Sequence, residues 1–95
     1  MPSYELVCIL NANLSEDDFS RALGKVNDLI AKFGGTVGET TQWGKRKLAY
    51  PIKRQSEGNY VLEKVQIKQT ALKEIDATLK LSEDVLRHLF IRENS

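Results

Sequence analysis

The apolar positions of this chain change period several times, and each change marks an element. Residues 4–10 are apolar at nearly every position, Glu5 excepted, which predicts a short central strand with both faces covered. Asn11-Ala12-Asn13 ends it. Phe19, Ala22, Leu23, Val26, Leu29, Ile30 and Phe33 then recur at three- and four-residue spacing, which is one buried face of a helix. Ser15 can accept from the backbone three residues on, and Glu16, Asp17 and Asp18 suit the positive end of the helix dipole. Leu14 and Phe19 stand where a hydrophobic staple would place them. Gly34-Gly35 stops the helix.

Residues 36–54 read as one long strand, interrupted near Trp43-Gly44, where a Gly in a strand pattern predicts a bulge or bend. Gln55-Ser56-Glu57-Gly58 is turn chemistry, so the next strand, residues 60–67, is expected to return antiparallel as a hairpin. In it Val61, Val65 and Ile67 share one face and Tyr60 and Leu62 the other, with Glu63 and Lys64 interrupting them. Thr70 is the expected cap of a second, shorter helix. Leu72, Ile75 and Leu79 lie on its apolar side, while Lys73, Glu74, Asp76 and Lys80 stay in water. Ser82-Glu83-Asp84 breaks it, and residues 85–92, rich in Leu, Phe and Ile, form a last strand.

Strand, helix, strand, strand, helix, strand is the split β-α-β order of the ferredoxin-like class, an α+β fold written βαββαβ. Residues 1–95 make one such domain. Right-handed crossovers put both helices on one face of a four-stranded antiparallel sheet. The first and third strands are then central and the second and fourth lie at the edges. Pro51 cannot donate to a ladder, which agrees with an edge. The opposite sheet face is left uncovered although the first strand is apolar on both sides. Such a face is where a partner docks.

The second strand carries the most distinctive chemistry. Trp43-Gly44 is followed by the cations Lys45, Arg46 and Lys47, then Leu48-Ala49-Tyr50-Pro51-Ile52, then Lys53 and Arg54. Clustered cations beside an aromatic, on an edge that nothing else covers, suit a polyanion or a partner protein. A second reading is a charged edge strand in which Lys blocks edge-to-edge aggregation. The residues themselves leave both open.

Charge narrows the choice of partner. The formal net charge over 95 residues is only +1, whereas many solitary nucleic-acid binders carry a strong basic excess. A chain with one basic stripe and no overall excess binds weakly by itself or binds with help. No apolar run approaches the ~20 residues of a membrane span. Met-Pro-Ser-Tyr-Glu at the N-terminus does not read as a secretory signal, so the cytoplasm, or an organelle interior after import, is expected.

Catalytic chemistry finds little support. Cys8, the single cysteine, sits between Val7 and Ile9 and reads as a small buried hydrophobe. His88, the single histidine, lies between Arg87 and Leu89 without a second ligand or an oriented base, and is expected at the surface or facing a partner. The acids at 16–18 point in different directions around a helix, which suits helix-end electrostatics better than a paired-carboxylate site. Acylphosphatase shares the element order but needs a phosphate-cradling loop with Gly and basic groups after the first strand; Asn11-Ala12-Asn13-Leu14 has neither. An RNA-recognition motif needs aromatics at set spacing on its central strands, and the third strand here has only Tyr60, so base stacking on the open face is not expected as the main mode of binding. A regulatory small-molecule module of the same architecture stays open.

Tyr4-Glu5-Leu6, Gly34-Gly35, the run from Trp43 through Ile52, Tyr60-Val61-Leu62 and Glu83-Asp84-Val85-Leu86-Arg87 together resemble the bacterial-type small-subunit ribosomal protein six family over nearly the whole chain. The Gly-basic-basic-x-Leu-Ala-Tyr-Pro-Ile run is the specific part. The resemblance implies a non-enzymatic structural role, without cofactor, metal or small-molecule substrate, in the platform of a bacterial or organellar small subunit. It implies joint binding of small-subunit rRNA with small-subunit ribosomal protein eighteen, a basic partner that would supply the cations this chain lacks. On that footing Lys45, Arg46, Lys47, Lys53 and Arg54 are expected to contact phosphate or the partner protein. Tyr4, Arg87 and Arg92 are expected near RNA. Tyr50 is expected either at the partner interface or as a core aromatic under the second strand, and Trp43 as an anchor either of the bend or of a contact, the fold role being preferred.

Overall fold

The computed structural model describes residues 1–93. Its elements are β1 (Ser3–Asn11), α1 (Glu16–Lys32), β2 (Thr36–Ile52), β3 (Gln55–Gln66), α2 (Gln69–Leu81) and β4 (Val85–Arg92). One antiparallel sheet runs in the order β2-β3-β1-β4. The expected ferredoxin-like arrangement is thus present, with β1 and β3 inside and β2 and β4 at the edges.

α1 begins as its sequence dictates. Ser15 takes an extended conformation and its hydroxyl accepts from the Asp18 N–H at 3.1 Å. The helix ends after Phe33. Gly34 turns into the left-handed region at φ +79°, its N–H bonds to the Ala31 carbonyl, and the Gly35 N–H bonds to the Ile30 carbonyl. These are the two bonds of a Schellman cap. α2 starts one residue before the expected cap: Lys68 holds the capping position without a side-chain bond, and Thr70 lies inside the first turn. A side chain that would cap from 70 is pre-empted because the backbone is already helical at 69.

Both helices lie on the same sheet face. Ala22, Val26 and Ile30 of α1 and Ile75 and Leu79 of α2 pack on Tyr4, Leu6, Cys8 and Leu10 of β1 and on Val61 and Val65 of β3. Each fully buried Leu or Ile in this layer contributes roughly 1.5–3 kcal/mol. On the other face β1 is less covered than its sequence suggests. Glu5 and Val7 are half-buried, and only Ile9 is buried, against Leu48 and Leu86.

The β2–β3 hairpin differs from expectation in its turn. Residues 55–58 belong to β3, and the turn is Lys53-Arg54, closed by Ile52 opposite Gln55. Both turn residues have positive φ, 49° and 66°, the signature of a two-residue type I′ turn that usually takes Asn-Gly. Two non-glycine residues there cost roughly 1 kcal/mol each. The pairing is irregular at three places, the first between Val37 and Thr40. It slips between Gln42 and Gly44, with Gly44 at φ +78°, and it jumps from Lys47–Glu57 to Ile52–Gln55. Residues 48–51, the Leu-Ala-Tyr-Pro run, are therefore the outer curve of a wide bulge in an edge strand, where Pro51 forfeits no ladder bond.

Candidate nucleic-acid and partner interface

The wide bulge folds the hairpin arm back over the open sheet face. Leu48 is buried against Ile9 and Leu86, with Ile52 and Tyr60 packed beside them. The Tyr50 ring is 57% exposed, and its hydroxyl accepts from Arg87 Nη1 at 3.0 Å. Tyr50 is thus a surface aromatic tied to β4 and does not serve as a core residue. Lys53 at the turn donates its ammonium to the carbonyls of Ser82 and Val85, both at 3.1 Å. A cation at the end of α2 is favourable, and these bonds offset part of the cost of the strained turn. They also commit the Lys53 Nζ to the fold. Arg54, next to it, is exposed at the tip.

The pleat divides the basic run. Lys45 lines a groove with Glu16, Asp17 and Ser20 at the start of α1, whereas Arg46 lines a shallow groove with Trp43 and Tyr60. Successive strand residues point to opposite faces, so Lys45 sits among acids and Arg46 looks out with aromatics. Lys47 is exposed farther along the arm. Trp43 is 51% exposed; it rides on the bulge and does not anchor it in the core.

Of the remaining expected residues, Arg87 joins the hairpin set through Tyr50, but Arg92 and Tyr4 lie elsewhere. Arg92 pairs with Tyr4, five residues from the Arg87–Ile9 pair, about 17 Å along the strand. Arg92 is exposed there. Tyr4 is corrected to a core residue: it is 4% exposed, under the helices, with its ring edge-on to Phe90 at 6.2 Å between centroids. It shares the face of Leu6, Cys8 and Leu10, which alternation places inward. His88 is corrected in the same way. It pairs with Cys8 on the helix-facing side, its side chain is 6% exposed, and its Nε2 is 2.6 Å from Asp76 Oδ1 on α2. Lys80 pairs with the other Asp76 oxygen at 3.2 Å. The hydrogen bond from His88 is the largest influence on the Asp76 carboxyl and holds it below its usual range; burial opposes it, and the bond from Lys80 adds a smaller pull in the same direction as His88.

Glu63 is the residue that the sequence pattern hid. It stands on the helix-facing side of β3 between Val61 and Val65 with no solvent exposure. The Thr40 hydroxyl of β2 donates to it at 3.1 Å. With its amide NH2 turned toward the carboxylate, Asn27 of α1 donates to both oxygens, at 3.0 and 2.8 Å. Burial pushes the carboxyl up, and the bonds from Thr40 and Asn27 restrain the shift. Burial and the neighbouring Glu63 charge together push the Cys8 thiol up to about 12, so at neutral pH it is protonated and unreactive.

What this surface can do chemically is bind. Arg46 shares a groove with the exposed Trp43, Arg87 is bonded to the exposed Tyr50, and Lys47 and Arg54 are exposed along the hairpin arm. On the same open face, along β4, Leu89 and Ile91 are 50% and 46% exposed. Among the described residues no group of His, Cys, Asp or Glu could hold a metal ion, and no helix is long and apolar enough to cross a membrane.

Comparison with known proteins identifies the family and the fold. The family model for ribosomal protein S6 matches residues 3–92. The small ribosomal subunit protein bS6 of Fusobacterium nucleatum is 35% identical over 94 residues, covering 99% of this chain and all of that one. That of Dictyoglomus turgidum is 40% identical over 89 residues, 94% of this chain and 92% of the relative. Among solved structures, the 30S ribosomal protein S6 of Thermotoga maritima superposes with a TM-score of 0.87 over 97% of this chain and 87% of that one. At 24% identity, that likeness shows the fold.

Proposed function

This chain belongs to the ribosomal protein S6 family, and from that premise we propose that it binds the platform of the small-subunit rRNA jointly with small-subunit ribosomal protein eighteen. It is a protein of the small ribosomal subunit, and its role there is structural, without catalysis. Its relatives are bacterial, which favours the cytoplasmic ribosome over an organellar one.

One observation carries the joint-binding reading. The open sheet face holds two unlike surfaces: cations and exposed aromatics on the hairpin arm, and an apolar strip of Leu89 and Ile91 along β4. Cations around exposed aromatics suit phosphate and RNA. An apolar strip at the rim of a folded sheet suits a protein. With a net charge of only +1, the chain gains RNA affinity by sharing the contact with a basic neighbour. Arg46, Lys47, Arg54 and Arg87 are its phosphate contacts in this reading, and Arg92 lies outside the cluster.

The test measures binding to a central-domain rRNA fragment with and without the partner. The pair is expected to bind at least about tenfold more tightly than this chain by itself, a coupling of about 1.4 kcal/mol. Equal affinities overturn the cooperative reading.

A further inference from the structure

Trp43 is the only tryptophan in the chain and is 51% exposed. An indole left in water gives up one of the largest burial gains available to a side chain. The backbone shows how it is held there. Pairing passes from Gln42–Val61 to Gly44–Tyr60, so Trp43 is the extra residue of a bulge, and Gly44 takes the left-handed conformation beside it. The same glycine has a second effect. It sits directly opposite Tyr60, and with no side chain it leaves that flank of the phenol ring without a cross-strand cover. The other flank of Tyr60 packs against the cluster of Ile9, Leu48 and Leu86, which fixes the ring. Trp43, Arg46 and Tyr60 together line one shallow groove.

We infer that Trp43 and Tyr60 form a stacking site for one unpaired nucleobase of a bound RNA, with Arg46 on its phosphate. The inference rests on the RNA-binding reading above and deepens it by naming the part of the RNA that is gripped. A fixed ring with a bare flank, an indole held out by a bulge and a guanidinium in the same groove are the parts of a sequence-tolerant base platform. A protein partner has a better surface elsewhere. The uncharged strip of Leu89 and Ile91 lies on β4, at the opposite edge of the sheet, with β1 between.

Because Trp43 is the sole indole, its emission reads the groove directly. The full-length protein is titrated at low salt with hexaadenylate and with an abasic oligonucleotide of the same length and charge. Saturable quenching is expected with hexaadenylate, and less than a quarter of it with the abasic strand. Equal quenching by both, or none with either, overturns the site, as does a blue shift produced only by a protein partner.

Labelled-RNA anisotropy adds the variants. Trp43→Leu, Arg46→Gln and Tyr60→Leu are expected to weaken hexaadenylate binding at least about fivefold, and Trp43→Phe to retain most of it. Trp43 and Arg46 are exposed, so their variants fold; a thermal melt checks Tyr60→Leu. The central-domain rRNA fragment, with and without the partner, separates the two claims. If Trp43→Leu binds it as well as the wild type, the stacking site is wrong and the RNA reading stands. If the fragment binds neither protein under any condition, the RNA reading itself falls.

Discussion

The Asn27 amide and the Glu63 carboxylate meet beneath α1, nitrogen to oxygen at 2.8 and 3.0 Å once the amide is turned to donate. Glu63 has no solvent exposure, so this contact and the Thr40 hydroxyl at 3.1 Å replace its hydration. A buried carboxylate kept by neutral donors ties three elements, α1, β2 and β3, to one charge.

Glu63 makes stability fall with rising pH. Its folded carboxyl is raised above the ordinary value by burial. Its contribution is therefore fully present below the unfolded value, near pH 4.3, and is lost as pH rises through the higher folded value. Urea unfolding of the wild type and Glu63→Gln between pH 4 and 8 is expected to show the variant gaining relative stability as pH rises. Asn27→Ala is expected to cost about 1.5–3 kcal/mol at pH 7. A difference between wild type and Glu63→Gln that does not change with pH would falsify the buried-charge account.

Asp76 works in the opposite direction. Its carboxyl is depressed, chiefly by the bond from His88, so its contribution is present above the unfolded value, near pH 3.9, and is lost as pH falls through the folded one. NMR titration of Asp76 in His88→Gln is expected to move its midpoint back toward the ordinary range. The same variant is expected to lose about 1–2 kcal/mol, since His88 also packs on Phe90. Should the Asp76 midpoint stay put, the His88 contact is not what depresses it.

Two glycine-to-alanine changes have opposite signs. A Cβ on Gly24, inside α1, meets nothing within 4 Å, so Gly24→Ala is expected to raise stability by about 0.5–1 kcal/mol. A Cβ on Gly35 would lie 2.8 Å from both the Gln66 carbonyl oxygen and Ile30 Cγ2. Backbone cannot give way as a side-chain end can, and Gly35→Ala is expected to cost about 1–3 kcal/mol. Paired chemical denaturation curves decide the signs.

Arg54→Gly separates stability from binding. Relief of the positive φ of 66° is expected to add about 0.5–1 kcal/mol to folding, while removal of an exposed cation weakens RNA binding. A variant that melts higher and binds rRNA less tightly is the expected pair of results. Unchanged binding would take Arg54 out of the interface.

The divided basic run predicts unequal neighbours. Lys45 lies among Glu16 and Asp17, and Arg46 with Trp43 and Tyr60. Arg46→Gln is expected to reduce the dependence of log affinity on log salt by roughly 0.7–0.9, and Lys45→Gln by much less. Equal reductions would mean that both side chains reach phosphate despite facing opposite ways.

Most of the architecture was legible in periodicity and punctuation. The α1 face, the Ser15 cap, the Gly34-Gly35 stop and the bulge at Gly44 all depend on local chemistry, and the chain states local chemistry openly. What periodicity does not reveal depends on partners remote in sequence. Lys53-Arg54 carries no turn signature; its strained backbone is held by carbonyls 29 and 32 residues away, so the nearby Gln-Ser-Glu-Gly looked like the better turn. Glu63 read as an interruption because Asn27 and Thr40 cannot be seen from the strand. Tyr4 and His88 were recoverable: strict alternation with Leu6, Cys8 and Leu10, carried across the β1–β4 pairing, sends both inward. The split of Lys45 from Arg46 follows from that alternation as well, but which side carries acids and which aromatics is set by the tertiary fold.

The single cysteine lies at the centre of the helix-covered layer, fully buried and protonated at neutral pH. A thiol reagent in the solvent therefore reads nothing until the helices lift away from the central strand. The chain carries its own clock for that event: the labelling rate of Cys8 reports how often the layers part, in the free protein and again once neighbours have closed over it.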